Sequence, residues 1–442
     1  MRIALISFHT SPLATLGGKD TGGMNVFVRE TARELGRRNH SVDVFVRSSG
    51  AHSLRIDPRL GPNVRVIHVR AGPEAPVPKN ELRNYVPAFT ERMCEFMHEE
   101  ARGGLSVARG TANSLHAPRA TPHENPPYDA VHAHYWLSGL VAEELRKCWG
   151  TRFALTFHTL AEMKNQIAQR EQDAETDERL NGECYLCTVA DRITANTKIE
   201  KDQLVHWYGA GSSRIRIVPP GVDTSIFHPI EQSYAKKVIG IPQNHRMILF
   251  AGRIERLKGI DNLFKAVALL KGSHPEWDWA NICLSVIGGD PSERGLRENE
   301  EMARLHALRD ELGLHDLIAF LGARDQDTLH FYFAAAECLV MPSHYESFGM
   351  VALEAMACGT PVIVSDVGGL SQLVKHNQTG LRVKVNDPAA LAAAIEKLFT
   401  DEARRRRIGH SAACYAEDYS WVKIVDQLVA VYTEVRSMKV MA

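Results

Sequence analysis

The sequence predicts an α/β protein made of two doubly wound domains that face each other across a cleft. Three observations lead there. Short β-branched runs alternate with helical patterns along the chain, as in parallel sheets flanked by helices. The rigid turn Pro219-Pro-Gly-Val-Asp223 interrupts that alternation near its middle. The 442 residues suffice for two domains of ordinary size. The expected division is residues 1–225, residues 226–415 and a last segment, 416–442.

In the first half the candidate strands are Ile3–Phe8, Val42–Arg47, Val64–Val69, Ala130–His134, Phe153–His158, Arg192–Asn196 and Ile215–Val218. The second half offers Met247–Gly252, Ile282–Ile287, Ile318–Leu321, Cys338–Met341, Pro361–Ser365 and Leu381–Val385. Ligands of such sheets bind outside the carboxyl ends of the strands, so the residues just after each strand carry the functional interest. Residues 103–127, rich in Gly, Ser, Thr, His and Pro without periodicity, read as a mobile insertion between a helix and a strand. Arg404–Arg407 follows Asp401 and Glu402 on a helical pattern and reads as a solvated face.

Composition removes several function classes. The apolar fraction of 44% and charged fraction of 24% are those of a soluble globular protein. A formal net charge of −1 provides no field that favours nucleic acid or an anionic membrane. No apolar run reaches the length of a membrane span. The run Met1–Phe8 is too short for a signal peptide and reads as the first strand. The eight cysteines are scattered, which suits free thiols and a cytoplasmic location. Cys184 and Cys187 lack the second pair of a zinc site and read as core packing in a helix. Whether the protein forms a homo-oligomer is left open.

The chemistry-bearing residues follow strands. Glu346-Ser-Phe-Gly-Met-Val-Ala-Leu-Glu354 sets two carboxylates across a turn at Gly349 that opens an apolar helix, Met350 to Cys358. Backbone N–H groups at that helix start form an anion site, so the pair suits a ligand with a phosphate centre and hydroxyls at both ends. A nucleotide-sugar is such a ligand. Gly252-Arg253-Ile-Glu-Arg-Leu-Lys258-Gly259 follows a strand, and Arg253 and Lys258 are expected to converge on one diphosphate. Gly17-Gly-Lys-Asp-Thr-Gly22-Gly23-Met-Asn25 follows the first strand and opens a helix, Val26 to Gly36; it is neither a Walker A loop nor G-x-G-x-x-G. His158 ends a strand, where it either holds a sugar hydroxyl and assists proton transfer or simply caps the core. His132-Ala-His134 has metal-like alternation but no third ligand close in sequence, so no metal site is assigned. Asp325-Gln-Asp327 is explained by N-capping of a following helix.

In this order the pieces resemble the retaining GT-B glycosyltransferases, whose fold is two Rossmann-like domains. The likeness rests on the G-G loop with Asn25, His158, G-R-x4-K at 252–258, E-x7-E at 346–354 and the Tyr419-Ser-Trp421 helix, which in that fold crosses back to the first domain. Within the family, His9-Thr-Ser-Pro-Leu13, Gly22-Gly-Met-Asn-Val26, His134-Tyr-Trp-Leu-Ser-Gly139 and His158-Thr-Leu160 are most similar to the branch that glycosylates inositol phosphate, with sucrose-phosphate synthases next. The resemblance makes 1–225 the acceptor-binding domain and 226–415 the nucleotide-sugar-binding domain. It implies that Lys79, Tyr135, Thr159 and Arg179 hold an acceptor phosphate, with Asn25 near the acceptor ring. It implies that Arg253 and Lys258 hold the donor diphosphate, that Glu354 takes the ribose and that Arg324 lies by the base. Glu346 and His158 would hold the donor sugar, with Gly23, Ser347, Phe348 and Gly349 lining the donor.

The implied reaction moves a sugar from a UDP-sugar, UDP-N-acetylglucosamine or UDP-glucose, to a hydroxyl of a phosphorylated polyol or sugar with retention. Inositol phosphate is the first acceptor expected. The catalytic residues are His158, Glu346, Arg253 and Lys258, with no tightly bound metal or cofactor. The alternatives are glucosyl transfer to fructose 6-phosphate and a UDP-sugar epimerase that needs no acceptor.

Overall fold

The computed structural model describes residues 1–14, 22–50, 55–102, 126–168, 174–289 and 300–438. Gly17 to Thr21 of the glycine-rich loop and 103–125 of the expected insertion lie outside them. The chain divides into two compact units. One comprises Met1–Ala14, Met24–Val218 and Val425–Ala442, the other Thr15–Gly23 and Pro219–Ile424. The first division falls at Pro219, the first residue of the rigid turn, and the last segment passes into the first unit at Val425.

Unit 1 is built on β1 (Arg2–Ile6), β2 (Ser41–Arg47), β3 (Ile56–Asp57), β4 (Val64–Val69), β5 (Ala130–His134), β6 (Phe153–Thr156), β7 (Arg192–Ala195) and β8 (Ile215–Ile217). They form one sheet in the order β3-β4-β2-β1-β5-β6-β7-β8, parallel except where β3 runs against β4. The chain builds outward from β1 through β2 to β4, then returns to place β5 on the other side of β1. That reversal is the topological switch point, where ligands of such sheets bind. Four of the expected strands end early, β7 and β8 by one residue and β1 and β6 by two, so that β1 stops at Ile6 and β6 at Thr156. Past β6 the chain turns into the left-handed region at His158 (φ 63°), so it leaves the sheet and presents a loop.

Unit 2 carries β9 (Arg246–Ala251), β10 (Ile282–Ile287), β11 (Ile318–Gly322), β12 (Cys338–Met341), β13 (Val362–Ser365) and β14 (Gly380–Val383), all parallel in the order β11-β10-β9-β12-β13-β14. Its switch point lies between β9 and β12. Alternate strand residues feed two cores: Leu249, Leu339 and Val362 on one face, Ile248, Val340 and Ile363 on the other. A sheet covered on both faces is why these strands read as continuous apolar runs.

Smaller expectations fare unevenly. The helix after the glycine-rich loop runs Gly23–Arg37, so Gly23 and Asn25 are helical rather than loop residues. Asp325 stands at the N-cap of the helix Gln326–Ala335, but its side chain makes no capping bond, contrary to the expected reason for its presence. Cys187 is buried as core packing requires, whereas Cys184 is exposed. Arg404–Arg407 lies on the helix Glu402–Ala416 with Arg406 and Arg407 in solvent.

Candidate active site

At the unit 2 switch point the loops after β9 and β12 are locked together. The His344 N–H donates to the Leu257 carbonyl at 2.9 Å. Gly259 has φ 63°, and a Cβ there would stand 2.3 Å from the Pro342 carbonyl oxygen, so only glycine permits the approach. The result brings Lys258 Nζ to 2.5 Å from Glu346 Oε2, with both side chains largely buried. Glu346 is pinned from behind, its carbonyl accepting from the Gly369 N–H at 2.7 Å.

Gly349 (φ 101°) then opens the helix Met350–Ala357, and having no side chain it offers no capping oxygen. The first amides of that helix therefore receive no cap from the Gly349 side, an arrangement in which a helix start can take an anion. Phe348 is buried in the core. Glu354, nearly buried on the same helix, accepts from Gln326 Nε2 at 3.3 Å. Arg324 is exposed, with Nε donating to the Tyr332 hydroxyl at 3.1 Å. Arg253 is exposed and ion-pairs with Glu255 at 2.7 Å. The two cations expected to converge are thus each matched to a different carboxylate. Gly23 is grouped with this unit, and a Cβ there would come 3.0 Å from Met350 Sδ. Ser343, directly after β12 and given no role from the sequence, is fully buried, and its hydroxyl has no hydrogen-bond partner among the described residues.

The unit 1 switch point gathers the other group. Tyr135, directly after β5, takes φ 77°, and His158, after the neighbouring β6, takes φ 63°. Left-handed backbone in two bulky residues at adjacent strand ends is strain of the kind that functional sites hold. Around the Tyr135 ring stand Lys79 Nζ at 4.3 Å and Arg179 Cζ at 4.8 Å from the centroid. The His9 ring lies 4.6 Å from it. Burial first, then the charges of Lys79 and Arg179, hold His9 well below its ordinary pKa, so it is neutral. His9 Nδ1 is buried without a hydrogen-bond partner among the described residues. Nothing in its spacing marked His9; its place after the first strand at the switch point was the available signal.

Arg179 is more deeply engaged than an open phosphate ligand would be. Nε donates to Glu183 Oε1 at 2.7 Å, and Nη2 donates to the Thr159 carbonyl at 2.8 Å and to Oγ1 at 3.1 Å. Nη1 lies 2.7 Å from Glu175 Oε1 in an ion pair. Glu183 is fully buried and also accepts from the Ala161 N–H at 2.9 Å and the Tyr208 hydroxyl at 2.7 Å. Asn25 is buried too. Its Nδ2 donates to Thr10 Oγ1 at 2.6 Å and the Ser11 carbonyl at 2.8 Å, which fixes the loop that carries His9.

His158 Nε2 is 3.1 Å from His134 Nδ1. Burial pushes the His158 pKa down to about 3, so at neutral pH it is a neutral imidazole. It can hold a hydroxyl, but it is not an acid at that pH. His132 and His134 are fully buried, which accounts for the alternation that looked metal-like.

Comparisons with known proteins find matches over nearly the whole chain. The family described as Glycosyl transferases group 1 matches residues 231–413, and Glycosyltransferase Family 4 matches residues 21–226. The chain is 38% identical to the D-inositol 3-phosphate glycosyltransferase of Acidothermus cellulolyticus over 98% of this chain and 90% of that protein. It is 39% identical to the enzyme of the same name from Streptomyces avermitilis, over 98% and 87%. Among solved structures, the sucrose-phosphate synthase of Thermosynechococcus elongatus superposes with a TM-score of 0.84 at 31% identity, over 98% of both chains.

Proposed function

The chain belongs to the GT-B glycosyltransferases, and from that premise we propose that it transfers a hexose from a UDP-sugar to a hydroxyl of inositol phosphate with retention of configuration. The observation that carries the acceptor class is the Tyr135 ring flanked by Lys79 and Arg179. Two cations beside a polar aromatic suit a phosphate dianion. The names of the relatives most similar in sequence point to the same acceptor.

In this reading the donor diphosphate lies at the start of the helix Met350–Ala357, with Lys258 and Arg253 taking the charge that builds as the sugar–phosphate bond breaks. Preorganised charge at the leaving group is the dominant catalytic effect. The acceptor hydroxyl attacks from the face the diphosphate leaves, and a departing phosphate oxygen takes its proton. Neutral His158 and Glu346 hold hydroxyls of the sugar, while Glu354 takes the ribose and Arg324 lies by the base. The two cations supply the neutralisation, so we assign no tightly bound cofactor. The likeness to sucrose-phosphate synthase favours one second reading, glucosyl transfer to fructose 6-phosphate.

The test is UDP release by the purified protein with UDP-N-acetylglucosamine or UDP-glucose, alone and with each acceptor phosphate. Release that requires inositol phosphate is expected. Release only with fructose 6-phosphate moves the protein to the second reading, and release with neither sinks both.

A further inference from the structure

His134 and His158 leave adjacent, directly paired strands, and their rings meet through one hydrogen bond of 3.1 Å. Since both rings are neutral, one nitrogen donates and the other accepts. His134 is fully buried, with its ring centroid 4.1 Å from that of His132 and 5.7 Å from that of Phe27. Its second nitrogen, Nε2, is buried with no hydrogen-bond partner among the described residues. A proton on that nitrogen would be an orphaned buried N–H, which folded proteins avoid more strictly than an unmet acceptor. The proton of His134 therefore belongs on Nδ1, and His158 Nε2 accepts it. His158 must then carry its own proton on Nδ1, the nitrogen not committed to His134.

We infer that His134 is a positioning residue: its Nδ1–H fixes the tautomer and ring orientation of His158 so that His158 offers an N–H donor, not a lone pair, to its ligand. The inference rests on the proposed role of His158 toward the donor sugar. A donor suits a sugar hydroxyl oxygen, whose lone pairs accept it.

The experiment is nitrogen-15 NMR of the imidazoles in the full chain, with His158 assigned by its loss in a His158→Ala variant. Wild-type protein is expected to show His158 protonated on Nδ1. His134→Asn, whose amide nitrogen sits near the place of Nδ1, is expected to keep that tautomer and most of the turnover. His134→Phe is expected to lose it, with kcat down about tenfold, the scale of one hydrogen bond, and the acceptor KM little changed. A His158 protonated on Nε2 in the wild type overturns the inference, whether or not the Phe variant folds. So does a Phe variant that keeps the wild-type tautomer. A tautomer that shifts in the Phe variant with unchanged turnover upholds His134 as the positioning residue and removes His158 from the proposed reaction.

Discussion

Lys258 and Glu346 stand 2.5 Å apart with 13% and 17% of their side chains exposed, so removing either strands the other's charge in a poorly solvated place. In the proposed reaction Lys258 also faces the leaving diphosphate. Lys258→Ala is therefore expected to lower kcat by about a hundredfold or more, the scale for losing one preorganised electrostatic donor. Steady-state kinetics with saturating donor check this, and an unchanged kcat takes Lys258 out of the chemistry. The two residues were each visible in the sequence because both follow apolar strands. Their pairing was not, since 88 positions separate them and only the order β9–β12 joins their loops. Arg179 differs: Glu175 and Glu183 lie four positions to either side of it, a spacing open to view in the sequence, whereas its bonds to Thr159 depend on how the helix Asp177–Val189 packs. His9 and Ser343 had no spacing signal; each follows a strand at a switch point, and Ser343 stands out through its burial.

At the scale of elements the parallel strands were legible because burial on both faces demands unbroken β-branched runs. The edge strand β3 was not, having only two residues, too few to show a period. The helix Gly23–Arg37 begins earlier than its apolar stripe because glycine weakens the local pattern without preventing a first turn. A different element carries a titration. The helix Lys198–Tyr208 starts at Thr197, whose hydroxyl accepts from the Glu200 N–H at 3.1 Å, while Glu200 Oε2 accepts from the Asn196 N–H at 3.0 Å. Burial outweighs those bonds and lifts the Glu200 pKa from 4.5 to about 7. Because the folded value lies above the unfolded one, this group's contribution to stability is full below about 4.5 and is lost as pH rises through 7. Glu200→Gln keeps the shape and cannot ionise. Thermal unfolding should show the Gln variant gaining on the wild type by on the order of 1–3 kcal/mol more at pH 8 than at pH 5. An equal difference at both pH values would mean that Glu200 does not titrate with folding.

For the whole molecule, the question is what each unit needs in order to fold. The final helix, Trp421–Ser437, begins in unit 2 but commits most of its length to unit 1. There Val425, Leu428, Val431, Tyr432 and Val435 are buried. Tyr432 OH lies 2.8 Å from His132 Nδ1, and Glu434 meets Arg192 at 2.7 Å and Arg216 at 2.8 Å. Five buried apolar side chains at ~1.5–3 kcal/mol each amount to about 7–15 kcal/mol, as much as the whole stability of a typical domain. Among the described residues the buried cores of unit 2 end at Ala416, with Tyr419 packed against one of them, so unit 2 draws nothing comparable from the stretch after Ile424. A chain ending at Ile424 is therefore expected to lose slow amide exchange throughout β1 to β8 while keeping it in β9 to β14. Hydrogen-exchange mass spectrometry on the truncated chain decides the matter. Protection retained in β5 and β6 would show that unit 1 folds without its last helix, and that the bond from Tyr432 to His132 is dispensable to the histidine pair beside it. Loss of protection in both sheets would show that the units do not fold independently, and the stability of one would then have to be counted with the other.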